Sequence, residues 1–265
     1  KPHLPFNAPK KYWDLYDRDQ VASPDCPEWP VDTPRIAWHN SKELFGKGTT
    51  QLSVADQQEL RHGYLAGVSY MDAQVGRLLD ELDRLELTDH TLVVFWSDHG
   101  FQLGDHTLWC KTSNFELDAK VPLIIAPPGG VAVQQTDAIV ELLDLYPTVA
   151  DGCGLPIPAG QEGVSLKPLM DGHVTSVKQA ALTQHPRPAY YNDSMQAMGH
   201  SIRTRDFRYT QWRARKDGSL LGHELYDHRV DPAESVNRAD DPAYADHLPR
   251  LDSLLKSLRR REDTP

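Results

Sequence analysis

Ser97-Asp98-His99-Gly100 closes an apolar run, Thr91-Leu92-Val93-Val94-Phe95-Trp96. An aspartate and a histidine side by side offer one carboxylate oxygen and one imidazole nitrogen to a single cation, which needs more ligands than two. An Asp that caps a loop beside a His packed on a sheet would give the same letters. Twelve residues past His99 stands Lys111, in Gly104-Asp105-His106-Thr107-Leu108-Trp109-Cys110-Lys111. Its ammonium is a point charge suited to a tetrahedral oxyanion such as phosphate or sulfate. A loop lysine is otherwise simply solvated; Trp109 and Phe115 flank this one. His106 serves as ligand, hydrogen-bond donor or surface residue, with a structural donor favoured. Pro2 and Pro5 fix the backbone around His3, which suits an imidazole general acid; a turn histidine in a Pro-rich loop is the plainer reading. Arg187, in His185-Pro186-Arg187-Pro188, offers a planar fork to a carboxylate, against a solvated loop arginine as the plainer alternative.

The elements that must position these residues follow from periodicity. The Thr91–Trp96 run is β-branched and aromatic, which predicts a strand buried on both faces, as in a parallel sheet under helices. Val121–Ala126 predicts a second such strand, closed by Pro127-Pro128-Gly129-Gly130. Before them, Tyr64, Val68, Met71, Val75, Leu78, Leu82 and Leu85 recur in steps of three and four, one stripe of a helix from Val54 to Leu85 with Ser53 as N-cap. Another helix is expected over Val140–Ala150, ended by Gly152 and Gly154. This order is the α/β pattern, in which sites form outside the carboxyl ends of strands. Prolines exclude long helices from the first 50 residues or so, leaving irregular loop with a short helix near Lys10–Tyr16. Beyond Pro156 the pattern changes. Gly199–Thr204 and Phe207–Trp212 alternate around Arg205-Asp206, a hairpin. Glu224–Asp227 reads as a strand, Asp231-Pro232 as a turn, and residues 246–261 as an amphipathic helix. The expected division is 1–160, catalytic α/β, and 161–265, a small α+β subdomain.

The chain has 265 residues, with 28 Lys and Arg against 38 Asp and Glu, a formal charge of −10. Nucleic-acid binders carry a basic stripe; the dense basic run here, Arg259-Arg260-Arg261, suits a helix C-terminus. Apolar stretches fall far short of the roughly 18 residues that a membrane span needs. Cys26, Cys110 and Cys153 form neither a CxxC nor a zinc spacing, leaving one disulfide plus a thiol, or none. The first residue is Lys1, so a removed leader or a longer parent protein is expected.

Taken in order, Lys1-Pro2-His3-Leu4-Pro5-Phe6, Gly67-Val68-Ser69-Tyr70-Met71-Asp72-Ala73-Gln74-Val75-Gly76-Arg77-Leu78-Leu79, Ser97-Asp98-His99-Gly100 with Leu103-Gly104-Asp105-His106 and Lys111, and Glu224-Leu225-Tyr226-Asp227 with Asp231-Pro232, Glu234 and Asn237 resemble type I sulfatases of the alkaline phosphatase superfamily. Asp98-His99 and Met198–Thr210 are similar to the iduronate-2-sulfatase branch. The resemblance implies the C-terminal part of an alkaline-phosphatase-like sandwich, a sheet between helices, plus a subdomain with an antiparallel sheet. It implies hydrolysis of a sulfated carbohydrate by a formylglycine made from Cys or Ser in C/S-x-P/A-x-R. Asp98 and His99 would be Ca²⁺ ligands, Lys111 would touch the sulfate, and His3 would face the leaving oxygen. Lys1, Phe101, His106 and Arg187 would line the substrate. Positive charge stabilises the developing sulfate transition state, and an imidazole protonates a departing alkoxide. Such relatives often leave the cytosol, which implies a periplasmic, secreted or lysosome-like compartment.

The sequence departs from this family in one respect. The paired aspartates of the first strand are absent, and no Cys or Ser lies in the nucleophile motif. The upstream Lys and His are missing too. The expectation is therefore the C-terminal portion of a longer sulfatase, inactive alone and partnered by the missing N-terminal portion. A phospho- or phosphonate-ester hydrolase and a non-catalytic glycan-binding subunit are the alternatives.

Overall fold

The computed structural model describes residues 2–45, 52–130, 135–190 and 194–262. The Pro-rich start carries two single α-turns, α1 (Lys10–Trp13) and α2 (Lys42–Phe45), and 3₁₀ turns over Arg18–Gln20 and Arg35–Ala37. Then comes α3 (Val54–Arg84), opened as expected by Ser53 in a capping box with Asp56. Its buried face differs from the expected stripe. His62, Gly63, Ala66 and Gly67 are buried, whereas Val68, Met71, Leu78 and Leu85 are exposed. Glycine decides this: a Cβ on Gly63 would stand 2.6 Å from the Phe6 carbonyl oxygen. The Pro2–Phe6 segment thus lies flat on the N-terminal half of α3.

Next follow β1 (Val93–Trp96), β2 (Gln102–Leu103), β3 (Trp109–Cys110), α4 (Glu116–Ala119) and β4 (Leu123–Ala126). The structure corrects the expected parallel, doubly covered strand. β1 pairs antiparallel with β4, Val93 opposite Ala126 and Trp96 opposite Leu123. Phe95, Trp96 and Ile124 are exposed. An all-apolar run reflects a preference for burial but not the direction of its neighbour. β2 and β3 form a second, two-residue antiparallel pair.

The next helix, α5 (Leu145–Gly152), starts later than expected, after a 3₁₀ turn over Leu142–Asp144. Pro147 falls in its first turn, where a missing N–H costs no helical bond. A short α6 (Lys167–Met170) precedes the antiparallel sheet β5 (Ala181–Arg187), β6 (Ala197–Arg203), β7 (Phe207–Ala214) and β8 (Leu220–Asp227), in that spatial order. The β6–β7 hairpin is the expected one. β5 was not anticipated, because Pro186 argues against a strand; its place at the sheet edge accommodates that proline. The last element, α7 (Leu248–Glu262), covers one face of the sheet, and Leu251 and Leu255 join Ile202, Phe207, Tyr209 and Leu225 in a buried core. The molecule is thus mixed α/β with antiparallel sheets. The three cysteines are free thiols.

A buried ion network joins α4 to the large sheet. Arg208 donates to Glu116 and to Glu234, the latter at 2.7 Å, and Arg203 reaches Glu116 at 3.1 Å. Glu234 also accepts from the Glu116 backbone N–H at 2.7 Å and lies 2.8 Å from His228 Nε2. Burial pushes the Glu234 carboxyl up, but Arg208 and His228 outweigh it and hold it below the usual range. Glu116, His228 and Glu234 are close enough together to hold a metal ion. Two guanidinium groups already neutralise them, so the cluster is a structural lock.

Candidate active site

The Lys111 side chain is aimed by strained backbone. Cys110 and Thr112 on either side have φ of 72° and 89°, left-handed values that cost about 1–3 kcal/mol each in a residue with a side chain. Arg187 helps to hold the turn. Its Nη1 donates to the Thr112 carbonyl at 3.0 Å, Nε to Ile36 at 3.0 Å and Nη2 to Ala37 at 2.5 Å. The guanidinium also lies 4.6 Å from the centroid of the Trp212 ring. Arg187 is therefore neither a solvated loop residue nor a fork open to a carboxylate: it is a buried clamp on three segments. That burial pushes its pKa down to about 10.

The structure brings together two expected residues 108 positions apart. Lys111 Nζ lies 2.9 Å from His3 Nε2 and 2.7 Å from Glu43 Oε2. An ammonium only donates, so Nε2 of His3 is the acceptor and its ring proton sits on Nδ1, 3.0 Å from the Leu4 carbonyl. Among the described residues, two of the three ammonium N–H groups are thus engaged, leaving one for a ligand.

Gly100 shapes the Asp98-His99 end. A Cβ there would sit 1.9 Å from the Leu117 carbonyl oxygen, and its N–H donates to the Asp118 carbonyl at 2.8 Å. Only glycine allows α4 this close. His99 Nδ1 donates to the Gly100 carbonyl at 2.7 Å, so Nε2 carries the free lone pair. That atom is 3.7 Å from Asp98 Oδ2 on an exposed surface. One carboxylate oxygen and one imidazole nitrogen at that spacing fit a shared cation in part; a hard cation would still need oxygens from elsewhere.

Phe101 links the two groups. Its ring centroid lies 5.7 Å from Phe6, 5.4 Å from Tyr64 and 6.4 Å from His99. His185 on β5 adds a second link. Burial, then Arg187 and then His99 push its pKa down to about 4, so it is neutral near pH 7. Burial, Arg187 and His185 likewise push His39 down to about 3.

His106 is corrected as a substrate contact. It is buried, with Nε2 2.8 Å from the Ala233 carbonyl and its ring 4.4 Å from Phe115. This matches the structural role favoured for it. Lys1 lies outside the described residues. Sequence reasoning missed Glu43, His39 and His185. The neighbourhood of Arg187 pointed toward His185; nothing in the sequence marked Glu43.

Comparison with known proteins identifies the family. The family model described as Sulfatase matches residues 1–155, and one described as N-sulphoglucosamine sulphohydrolase, C-terminal, matches residues 104–261. Human iduronate 2-sulfatase is 31% identical over 91% of the chain and 57% of its own length. A choline-sulfatase of Rhizobium meliloti is 32% identical over 91% of the chain and 45% of its own. Among solved structures, a phosphonate monoester hydrolase from Silicibacter pomeroyi aligns with a TM-score of 0.81 and 27% identity over all of this chain and 55% of that one. A protein in complex with its substrate D-glucosamine-2-N,6-O-disulfate aligns at 0.67 and 28% identity over 79% of this chain and 43% of that one. The chain spans about half the length of the curated relatives it matches. Among the described residues no helix is long and apolar enough to cross a membrane. By sequence and fold, this chain belongs to the sulfatase family.

Proposed function

We propose that the chain supplies the sulfate-holding and leaving-group side of a sulfatase active site, acting on a sulfated saccharide of the iduronate-2-sulfate type. The observation that carries this is the Lys111–His3 contact, which unites an oxyanion binder and an acid from opposite ends of the catalytic region. The third N–H of Lys111 meets a sulfate oxygen, and its charge stabilises the negative charge that builds there as the S–O bond breaks. His3 serves the leaving oxygen. Its Nε2 accepts from Lys111 at rest, so it exchanges that hydrogen bond for a proton taken from solvent and then delivers that proton to the departing alkoxide. Asp98 and His99 would hold Ca²⁺, which when bound supplies further positive charge to the sulfate. No Cys or Ser of this chain lies in the formylglycine motif, so attack on sulfur is assigned to an N-terminal sulfatase portion, the chain's proposed partner. Family likeness supports a periplasmic, secreted or lysosome-like compartment.

The test is turnover of a sulfated uronic acid by a protein that contains this chain joined to such a portion. Lys111→Ala and His3→Ala should each lower kcat about 10²–10⁴-fold, the usual reach of a positioned acid or oxyanion contact. The 265-residue chain alone should show no turnover. Unchanged kcat in both variants, or turnover by the chain alone, refutes the assignment. A phosphonate monoester hydrolase is the second reading, favoured by the 0.81 structural likeness; faster turnover of a phosphonate monoester than of any sulfate ester would select it.

A further inference from the structure

Glu43 has no part in the reading above, yet its carboxylate makes the shortest contact to the Lys111 ammonium, 2.7 Å, and lies 3.9 Å from His3 Nε2. Both side chains of the ion pair are largely shielded from water, with 16% and 26% of their surfaces exposed. The partners come from separate segments, 68 residues apart, so the contact is made by the fold. Its electrostatic consequence is simple. The charges of Lys111 and Glu43 cancel. An anion arriving at the remaining N–H meets a local pair of zero net charge. One negative charge is attracted by the nearer ammonium. The Glu43 carboxylate repels every charge that the ligand carries, so it costs a dianion about twice what it costs a monoanion.

We propose that Glu43 is a specificity-determining residue, a charge filter that admits monoanionic sulfate esters and disfavours dianions. The dianions in question are phosphate monoesters and the inorganic sulfate product. A sulfate monoester carries one charge, whereas a phosphate monoester carries nearly two at pH 7. The filter therefore separates two esters of the same shape, and it also hastens departure of free sulfate. This rests on the assignment of Lys111 as the oxyanion contact, and the experiment separates the two claims.

The experiment titrates the isotopically labelled 265-residue chain with methyl sulfate, a monoanion, and with inorganic sulfate, a dianion. The His3 ring signals report binding by NMR. In Glu43→Gln, affinity for inorganic sulfate should rise about tenfold more than affinity for methyl sulfate, the effect of one unit charge at about 6 Å through partly screened surroundings. Glu43→Asp keeps the charge and should hold the wild-type ratio, which a merely structural role would not do. Equal changes for the two probes in Glu43→Gln, or Glu43→Asp behaving like Glu43→Gln, overturns the filter while leaving Lys111 as the oxyanion contact. If neither probe moves the His3 signals in any of the three proteins, the Lys111 assignment falls and the filter with it.

Discussion

The β5–β8 sheet and the β1–β4 pair use similar residues to opposite ends. In the large sheet Ile202, Leu225 and Trp212 are sealed under α7 or against neighbouring strands, and the hydrogen-bond ladder runs through four strands. In the small pair Trp96 and Ile124 keep 46% and 61% of their surface exposed, and Leu78 on α3 keeps 72%. The first region holds its own core. The second carries apolar side chains that nothing among the described residues covers. Yet the second region bears Asp98 and His99 at the end of β1, and the α3 surface supports the His3 segment. The side proposed to be catalytic is thus the less self-sufficient one, and its geometry is borrowed in part from the sheet through Arg187 and the Arg208 network.

The largest expected effect breaks that loan. Arg208→Ala would leave Glu116 and Glu234 buried with their principal cation gone. Removing one partner of a buried pair costs about 3–5 kcal/mol. Leu78→Ala, on the exposed stripe, should change stability by less than about 0.5 kcal/mol. Urea unfolding of the two variants measures the contrast. Equal losses would mean that α3 is packed as tightly as the sheet.

The next effect lies at the seam and depends on pH. Asp118 is buried on α4, and burial pushes its pKa up to about 7 despite two bonds to its carboxylate from Ser113. Its folded value lies above its unfolded one, so the folded state holds the proton longer. Stability from this group is fully present below about pH 4 and declines as pH rises toward 7. Glu224, buried beneath Trp212 and Tyr226 and also pushed up to about 7, acts in the same direction. Asn is an isostere of the protonated acid. Asp118→Asn should therefore gain stability over wild type at pH 8 relative to pH 5, by about 1–3 kcal/mol, the cost of a buried charge partly met by hydrogen bonds. Urea midpoints at the two pH values check this. A gap between variant and wild type that is the same at pH 5 and pH 8 would show that Asp118 ionises freely.

The two regions also differ in how much of them the sequence disclosed. α3 and the β6–β7 hairpin were legible through periodic spacing, the Ser53 cap and the Arg205-Asp206 turn, although the α3 stripe did not mark its buried face. The direction of β1 was not, since Val93–Trp96 is apolar at every position and any neighbour satisfies it. β5 was hidden by Pro186, whose edge position only the fold reveals. His3 and Lys111 stood out through their likeness to a family; spacing alone favoured a turn histidine and a solvated lysine. His106 was counted with the substrate contacts through the family resemblance of Leu103-Gly104-Asp105-His106, although its own chemistry favoured a structural donor. Its left-handed backbone, φ 53°, goes with a ring bonded to the Ala233 carbonyl. Glu43 was invisible, because a lone glutamate in a Pro-rich stretch has no periodicity, and its meaning arises from a contact 68 residues away.

The smallest effect on stability carries the sharpest information about the uncovered face. Phe95 and Ile124 stand opposite each other in the β1–β4 ladder, so their side chains share one face, 39% and 61% exposed. Exposed apolar patches on a flat two-stranded pair invite association. Phe95→Lys together with Ile124→Lys places charge on one face where apolar area now meets water. The unfolding free energy should move by less than about 0.5 kcal/mol per site, as for other surface positions. Self-association, read by sedimentation velocity across a concentration series, should fall sharply. In the joined protein proposed above, the same pair of lysines should instead lower stability by several kcal/mol, because there an N-terminal sulfatase portion would bury them without partners. A double variant that is equally stable in both settings would mean that this face is solvated in the whole enzyme, and that the apolar composition of β1 serves only its pairing with β4.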